Sequence, residues 1–228
     1  QQWEAISRGL NRLDNRLPYI ACQGNHDLGY IAAEYRYSMM PNYIYPERNS
    51  AFAKTLVSTG TNYEGIHTME NSAYEFHDEA WGDLLIISFG FAPRDEALDW
   101  ARQLIESERF VNHKVIILTH SFLATNGDRI VEEGYKLTPR NWAQAVWEKL
   151  IYPSKNIKMV LCGHTGNPPK IRKGEDVDFH MTTSYRVDKA ADGHEVIQMM
   201  FNSQNGDGSW NGNGGDCWLR ILEFKPDG

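Results

Sequence analysis

The sequence predicts an α/β fold, and three observations carry that expectation. Three short apolar runs each end on a polar tip: Pro18-Tyr19-Ile20-Ala21-Cys22 before Gly24-Asn25-His26-Asp27, Val115-Ile116-Ile117-Leu118-Thr119 before His120, and Ile157-Lys158-Met159-Val160-Leu161-Cys162 before Gly163-His164. Runs of this length bounded by Pro, Gly or polar residues suit buried strands. A stretch with apolar residues at helical spacing precedes each of them, and alternation of this kind builds sheets flanked by helices. Beyond His164 the pattern changes to strands and turns.

In chain order, Trp3, Ile6, Leu10, Leu13 and Leu17 predict an amphipathic helix over 3–15 that packs on the sheet. A strand over 18–22 delivers Gly24-Asn25-His26-Asp27. Residues 30–50, with five tyrosines interrupted by Pro41 and Pro46, read as an excursion over the strand tips, its tyrosines packed on the body, and Ser50 to Val57 holds a short helix. Ser72 to His77 and Leu84 to Phe89 predict an antiparallel pair turning across Gly82-Asp83 and belonging to a second sheet or its edge. His67 and His77 read as surface or turn residues.

Pro93 and the apolar face of Leu98, Trp100, Ala101 and Ile105 predict a helix over 94–108. A second excursion over 121–140 carries the turn signal Asn126-Gly127-Asp128. Asn141 is the expected cap of a helix from Trp142 to Ile151. The last part reads as strands at 179–183, 194–201 and 217–224, with a Gly/Asn/Asp-rich hairpin loop at 202–216 whose spacing does not match an EF-hand.

At 228 residues, 41% hydrophobic and 12% aromatic, the chain is expected to be one globular domain over 1–228. A net charge of -7 and the lack of any Lys/Arg run give no nucleic-acid patch. No apolar stretch approaches the ~20 residues of a membrane span, and the polar N-terminus does not resemble a signal peptide, so a soluble protein is expected. Cys22, Cys162 and Cys217 lack metal-type spacing and read as free thiols, with one disulfide as the alternative.

One histidine at a strand end carries little information; three strand ends of the same design define a site. An Asn25 oxygen with the His120 and His164 imidazoles makes a mixed N/O donor set suited to Zn, Mn or Fe. Such an ion polarises a phosphoryl oxygen and supplies hydroxide near neutral pH, while His26, oriented by Asp27, protonates a leaving oxygen. This is the chemistry of phosphate ester hydrolysis.

These residues resemble the calcineurin-like metallophosphoesterases. Gly24-Asn25-His26-Asp27 matches the family's Gly-Asn-His-Asp/Glu motif, Thr119-His120 its middle histidine, and Gly163-His164 the start of its Gly-His-x-His motif. The resemblance implies a four-layer αββα sandwich of two mixed sheets flanked by helices, with a two-metal site between the sheets. It further implies Asn25, His120 and His164 as ligands of one metal, His26 as proton donor and Asp27 as the residue fixing its imidazole. The implied activity is metal-dependent hydrolysis of a small phosphate mono- or diester, with metal-activated hydroxide as nucleophile. The C-terminal pattern around Gly193-His194-Glu195-Val196 resembles a bacterial, often exported, branch.

Two features depart from the family. Its Asp-x-His and Gly-Asp-x-x-Asp motifs do not occur before residue 24, and Gly166 stands where the second histidine of Gly-His-x-His is expected. The first departure predicts a domain whose first strand–helix unit lies upstream of residue 1, with ligands for one of two metals in this chain. For the second, His180, His194 or Asn167 is the expected substitute, or the site is modified. The alternative to an enzyme is a non-catalytic domain retaining part of the metal site.

Overall fold

The computed structural model describes residues 2–166, 182–203 and 219–225. The chain opens with helix α1 (Gln2–Leu10) and reaches the short helix α2 (Phe52–Thr55) through three single 3-10 turns. Strands β1 (Leu56–Thr61), β2 (His67–Asp78) and β3 (Gly82–Ser88) follow, then α3 (Asp95–Ile105), β4 (Lys114–Leu118), α4 (Ala143–Val146), β5 (Ile157–Cys162), β6 (Thr182–Lys189) and β7 (Glu195–Asn202).

All seven strands join one mixed sheet in the order β1-β2-β3-β4-β5-β7-β6. Its centre is parallel, β3 to β4 to β5 to β7, with β1, β2 and β6 antiparallel toward the edges. Parallel strands covered on both faces read as unbroken apolar runs, which is why Val115 to Leu118 and Met159 to Leu161 show no alternation. Successive residues still point to opposite faces: Ala73 joins the core under α3, and Tyr74 joins the core on the other side.

On the first face α3 buries Ala97, Leu98, Ala101 and Ile105, spaced to line one side of a helix, against Leu85, Ile87, Val115, Ile117 and Val160. The helix begins with Asp95 and Glu96 at its positive end. α4 continues as a π-helical turn over Trp147–Ile151 and adds Trp147, Leu150 and Ile151 to this core.

On the second face Tyr74, Met69, Phe52, Met40 and Ile44 are covered by Trp3, Leu10, Tyr19 and Ile20. α1 has no fully buried residue of its own. It is pinned by the buried Arg48 guanidinium, which donates to Ser7 O at 2.8 Å, Asn11 Oδ1 at 2.8 Å and Tyr43 O at 2.7 Å and lies 3.0 Å from Asp14 Oδ2.

The α/β class and mixed sheet agree with the sequence, and the chain departs from it in several places. Where two sheets are expected, the described strands make one: the β2–β3 pair joins β4 in parallel register, Leu84 opposite Lys114 and Ser88 opposite Leu118. The run 18–22 is extended but enters no ladder. The segment packs Tyr19, Ile20 and Ala21 on the second-face core and is held by side chains, Ser88 Oγ donating to Ala21 O at 3.3 Å and Cys22 Sγ to Phe89 O at 3.6 Å.

Helix α1 stops at Leu10 and gives way to turns, because Asn11 and Asp14 are engaged by Arg48. Asn141 does not cap its own helix; its Nδ2 donates to Pro93 O at 3.0 Å and Asp95 Oδ1 at 2.9 Å and so ties α4 to the start of α3. The β2–β3 turn falls before Gly82, with Asp78 Oδ1 accepting from Ala80 and Trp81. In the 30–50 excursion Tyr43 packs on Trp3, whereas Tyr30, Tyr35, Tyr37 and Tyr45 stand exposed.

Of the strand expected at 179–183, residues 182 and 183 open β6 and 179–181 lie outside the described residues; of that expected at 217–224, residues 219–224 form no strand and 217 and 218 lie outside the described residues. Cys22 and Cys162 are free thiols, and burial pushes both up to about 12. Cys217 and the 204–216 part of the expected hairpin loop lie outside the described residues. No helix among the described residues is long and apolar enough to cross a membrane.

Candidate metal centre

Residues 25, 120 and 164 come together at one end of the sheet. β4 and β5 are parallel neighbours, so the residues after their carboxyl ends emerge side by side, and Gly163 N donates to His120 O at 2.9 Å. The side chains meet as well: His120 Nε2 lies 2.9 Å from Asn25 Oδ1 and 3.0 Å from His164 Nδ1. Asn25 arrives by a different route, on a 3-10 turn over Asn25–Asp27 at the end of the extended segment.

Each of the three is oriented from behind. Asn25 Nδ2 donates to Tyr135 OH at 2.9 Å, which turns its Oδ1 toward His120. His164 Nε2 donates to Glu133 Oε1 at 2.8 Å, leaving Nδ1 as the lone-pair atom, and Glu133 Oε2 accepts from Ser121 Oγ at 2.9 Å. His164 sits at φ 66, a left-handed backbone rare for a non-glycine residue, and Asn202 Nδ2 holds its carbonyl at 3.0 Å. The His120 ring packs directly on Gly24, where an added Cβ would lie 2.9 Å from its Cε1.

Burial, then the neighbouring His164 and His26, push His120 down to about 3, so its ring is neutral and free to act as a donor. Phe91 seals the floor, its ring centroid 5.8 Å from His120 and 5.9 Å from His164, and sits over a small core of Leu28, Ala33, Leu137 and Trp142. Metal–nitrogen bonds of about 2.0–2.1 Å meeting at 90–109° place neighbouring donor atoms about 2.8–3.4 Å apart. The observed spacings fall at the short edge of that range, and the donor set fits a borderline transition ion. Among the described residues no group of three or more His, Cys, Asp or Glu is arranged to hold an ion, so the centre depends on the Asn25 amide oxygen.

His26 stands exposed beside this cluster with its Nδ1 donating to Ile31 O at 2.9 Å. Asp27 does not contact that ring through a hydrogen bond. Its Oδ2 accepts from Gly24 N at 2.8 Å, which closes the turn carrying Asn25, and burial raises its carboxyl above the usual range. The structure therefore gives the fixing of His26 to a backbone carbonyl and gives Asp27 the turn.

His194 is not near the centre. It pairs with Asp192 Oδ1 and with Ile157 O at 2.8 Å, at the start of β5, the opposite end from His164. His180 and Asn167 lie outside the described residues. His77 pairs with Asp83 at 2.8 Å and His67 with Thr59 O at 2.7 Å, both away from the centre. A cavity of about 320 Å³ opens beside His120, walled by Cys22, Cys162, Met199 and Phe201 with Arg220 at its lining.

Sequence reasoning did not find Glu133 or Tyr135. Both sit on the 121–140 excursion, where no periodicity marks them, and the one available cue was an acidic and an aromatic residue in a loop close to His120 in the chain.

A mixed sheet flanked by helices thus carries an asparagine and two histidines that converge at its strand ends. The chain matches the calcineurin-like phosphoesterase family over residues 2–168 and belongs to that family. It is also similar to "Uncharacterized protein YvnB" of Bacillus subtilis (strain 168), 25% identical over 225 residues. That match covers 98% of this chain and 15% of the Bacillus protein, so the chain spans only a small part of that relative's length.

Proposed function

We propose that this chain hydrolyses a small phosphate mono- or diester, with Asn25, His120 and His164 holding a Zn, Mn or Fe ion and His26 acting as acid toward the leaving oxygen. The observation that carries this reading is the position of His120 Nε2, within 3.0 Å of both Asn25 Oδ1 and His164 Nδ1. When bound there, the ion supplies a Lewis acid for the phosphoryl oxygens and lowers the pKa of water.

The protein's own groups do the rest. Tyr135 and Glu133 fix the amide and imidazole that face the ion, so no reorganisation is needed as charge develops. Phe91 keeps water from the back of both imidazoles. With Nδ1–H donated to the Ile31 carbonyl, His26 has Nε2 left as the atom that carries and delivers a proton. The cavity beside His120 has the size of a small-ligand site.

Metal analysis combined with turnover of p-nitrophenyl phosphate and bis-p-nitrophenyl phosphate tests the proposal and separates monoesterase from diesterase action. Retained metal with measurable turnover, both lost in His120→Ala, is the expected result. A protein that takes up no Zn, Mn or Fe and turns over neither ester overturns it. Metal uptake without turnover favours the non-catalytic alternative.

A further inference from the structure

We infer that Glu34 is a positioning residue for His26, acting through the peptide of Ile31; the inference rests on the assignment of His26 as leaving-group acid. The loop after the Asn25–Asp27 turn closes tightly, with Gly29 N donating to Tyr37 O at 2.9 Å and Ala33 N to Leu28 O at 2.8 Å. Leu28 and Ala33 are anchored in the small core below Phe91. Between them the chain turns outward: Tyr30 is 90% and Ile31 68% exposed, so neither side chain holds that backbone in place.

The Glu34 carboxylate supplies the missing support from inside the loop. Its Oε2 accepts from the N–H groups of Tyr30, Ile31 and Ala32, each at 3.1 Å, and its Oε1 accepts again from Ile31 N at 3.0 Å. Gly29 is required for this arrangement, since it adopts φ +73 and an added Cβ would lie 2.3 Å from Glu34 Oε2. The N–H of Glu34 itself, then those of Ile31, Ala32 and Tyr30, hold the carboxyl below its usual range, so it is a carboxylate.

Ile31 thereby becomes a two-sided link. Its N–H is gripped by Glu34, and its carbonyl accepts the His26 Nδ1–H at 2.9 Å. A carbonyl can only accept, so fixing that peptide fixes both the ring orientation of His26 and the tautomer that leaves Nε2 toward a leaving oxygen. The groups that orient Asn25 and His164, Tyr135 and Glu133, lie on a different loop, so Glu34 acts on His26 through Ile31 and not on those side chains.

Two readouts test this in the full chain with Glu34→Ala, the conservative Glu34→Gln, His26→Ala, and the Glu34→Ala/His26→Ala double variant. The first is the imidazole nitrogen NMR signature of neutral His26, which does not require activity. The expected result is a single Nδ1–H tautomer in the wild type, a tautomer mixture in Glu34→Ala, and partial retention in Glu34→Gln. The second is kcat/KM for an alkyl phosphate ester against its p-nitrophenyl counterpart, because only the poorer leaving group needs the acid. General acid catalysis contributes about 10²–10⁴-fold, so Glu34→Ala is expected to lose about 10-fold or more on the alkyl ester, less than about 3-fold on the p-nitrophenyl ester, and nothing further once His26 is alanine. An unchanged His26 tautomer in folded Glu34→Ala, or equal losses on the two esters, overturns the inference. A wild type inactive on both esters overturns the proposed function instead, and the tautomer result then decides the Glu34–His26 link by itself.

Discussion

Glu133 Oε1 and His164 Nε2 lie 2.8 Å apart, with side chains only 12% and 18% exposed, and this pair joins a loop to the end of a central strand. The contact orients the proposed ligand His164 through the ring nitrogen that faces away from His120. Partners of this kind are typically worth about 10–100-fold in metal affinity. Glu133→Ala is therefore expected to weaken Zn or Mn binding by about that factor, with Glu133→Gln in between. Competition titration against a chelator checks it, and an unchanged affinity in Glu133→Ala would remove Glu133 from the centre.

A Cβ added at Gly24 would lie 2.9 Å from Cε1 of the His120 ring. The Gly24 φ of -102 is open to any residue, so a substitution acts through the added atom and not through backbone strain. Gly24→Ala is expected to push the ring off Asn25 and to destabilise the fold by about 1–3 kcal/mol. Denaturant unfolding and metal titration should both respond; a variant with native stability and native metal uptake contradicts the packing.

Asp188 sits between Arg186, Gln198 and Arg129, its carboxylate 2.6 Å from Arg129 Nη1. Burial raises its pKa, but the hydrogen bonds from Arg186, Gln198 and Arg129 outweigh that and hold it well below the usual carboxylate range. A depressed folded-state pKa means stability that is present above the unfolded value of about 4 and is lost as pH falls toward the folded value. Asp188→Asn is expected to lose about 1 kcal/mol at pH 7, and the gap to wild type should narrow below about pH 4. Thermal unfolding across pH 2–7 follows that gap, and a gap that widens in acid would refute the sign.

Arg48 makes its hydrogen bonds and ion pair at 7% side-chain exposure. Arg48→Met keeps much of the apolar stem and removes the guanidinium's ties to Ser7, Asn11 and Asp14. The first 17 residues are expected to open more readily, by on the order of 2 kcal/mol, with little change in the sheet. Hydrogen exchange resolved by segment measures this, and unaltered protection of α1 would show that Trp3 stacking alone holds it.

The sequence displays the parts of this molecule that repeat a pattern. The runs before His120 and His164 could be read because buried parallel strands are nearly continuous in apolar residues, and α3 because its apolar residues recur along one side. The segment before Gly24 has the same composition as a strand and yet pairs with none. Composition records burial, whereas pairing depends on partners distant in the chain, and here Ser88 and Phe89 hold the segment through side-chain hydrogen bonds. Asn141, a good cap by residue type, serves a different helix for the same reason: its partner, Pro93, is 48 residues away. Glu133, Tyr135 and the role of the Ile31 carbonyl depend on loop geometry, and no local pattern encodes them.

The two histidines and the asparagine–histidine pair of the proposed site are mounted on parts of very different durability. His120 and His164 follow neighbouring strands at the middle of the sheet, and the ladder continues past both strand ends through Thr119 N to Leu161 O at 3.0 Å and Gly163 N to His120 O at 2.9 Å. Asn25 and His26 follow a segment with no ladder. On gradual heating the Asn25 oxygen and the His26 ring should therefore leave together while the two histidines at the strand ends still face each other, so the half of the site carried by the sheet outlasts the half carried by the turn.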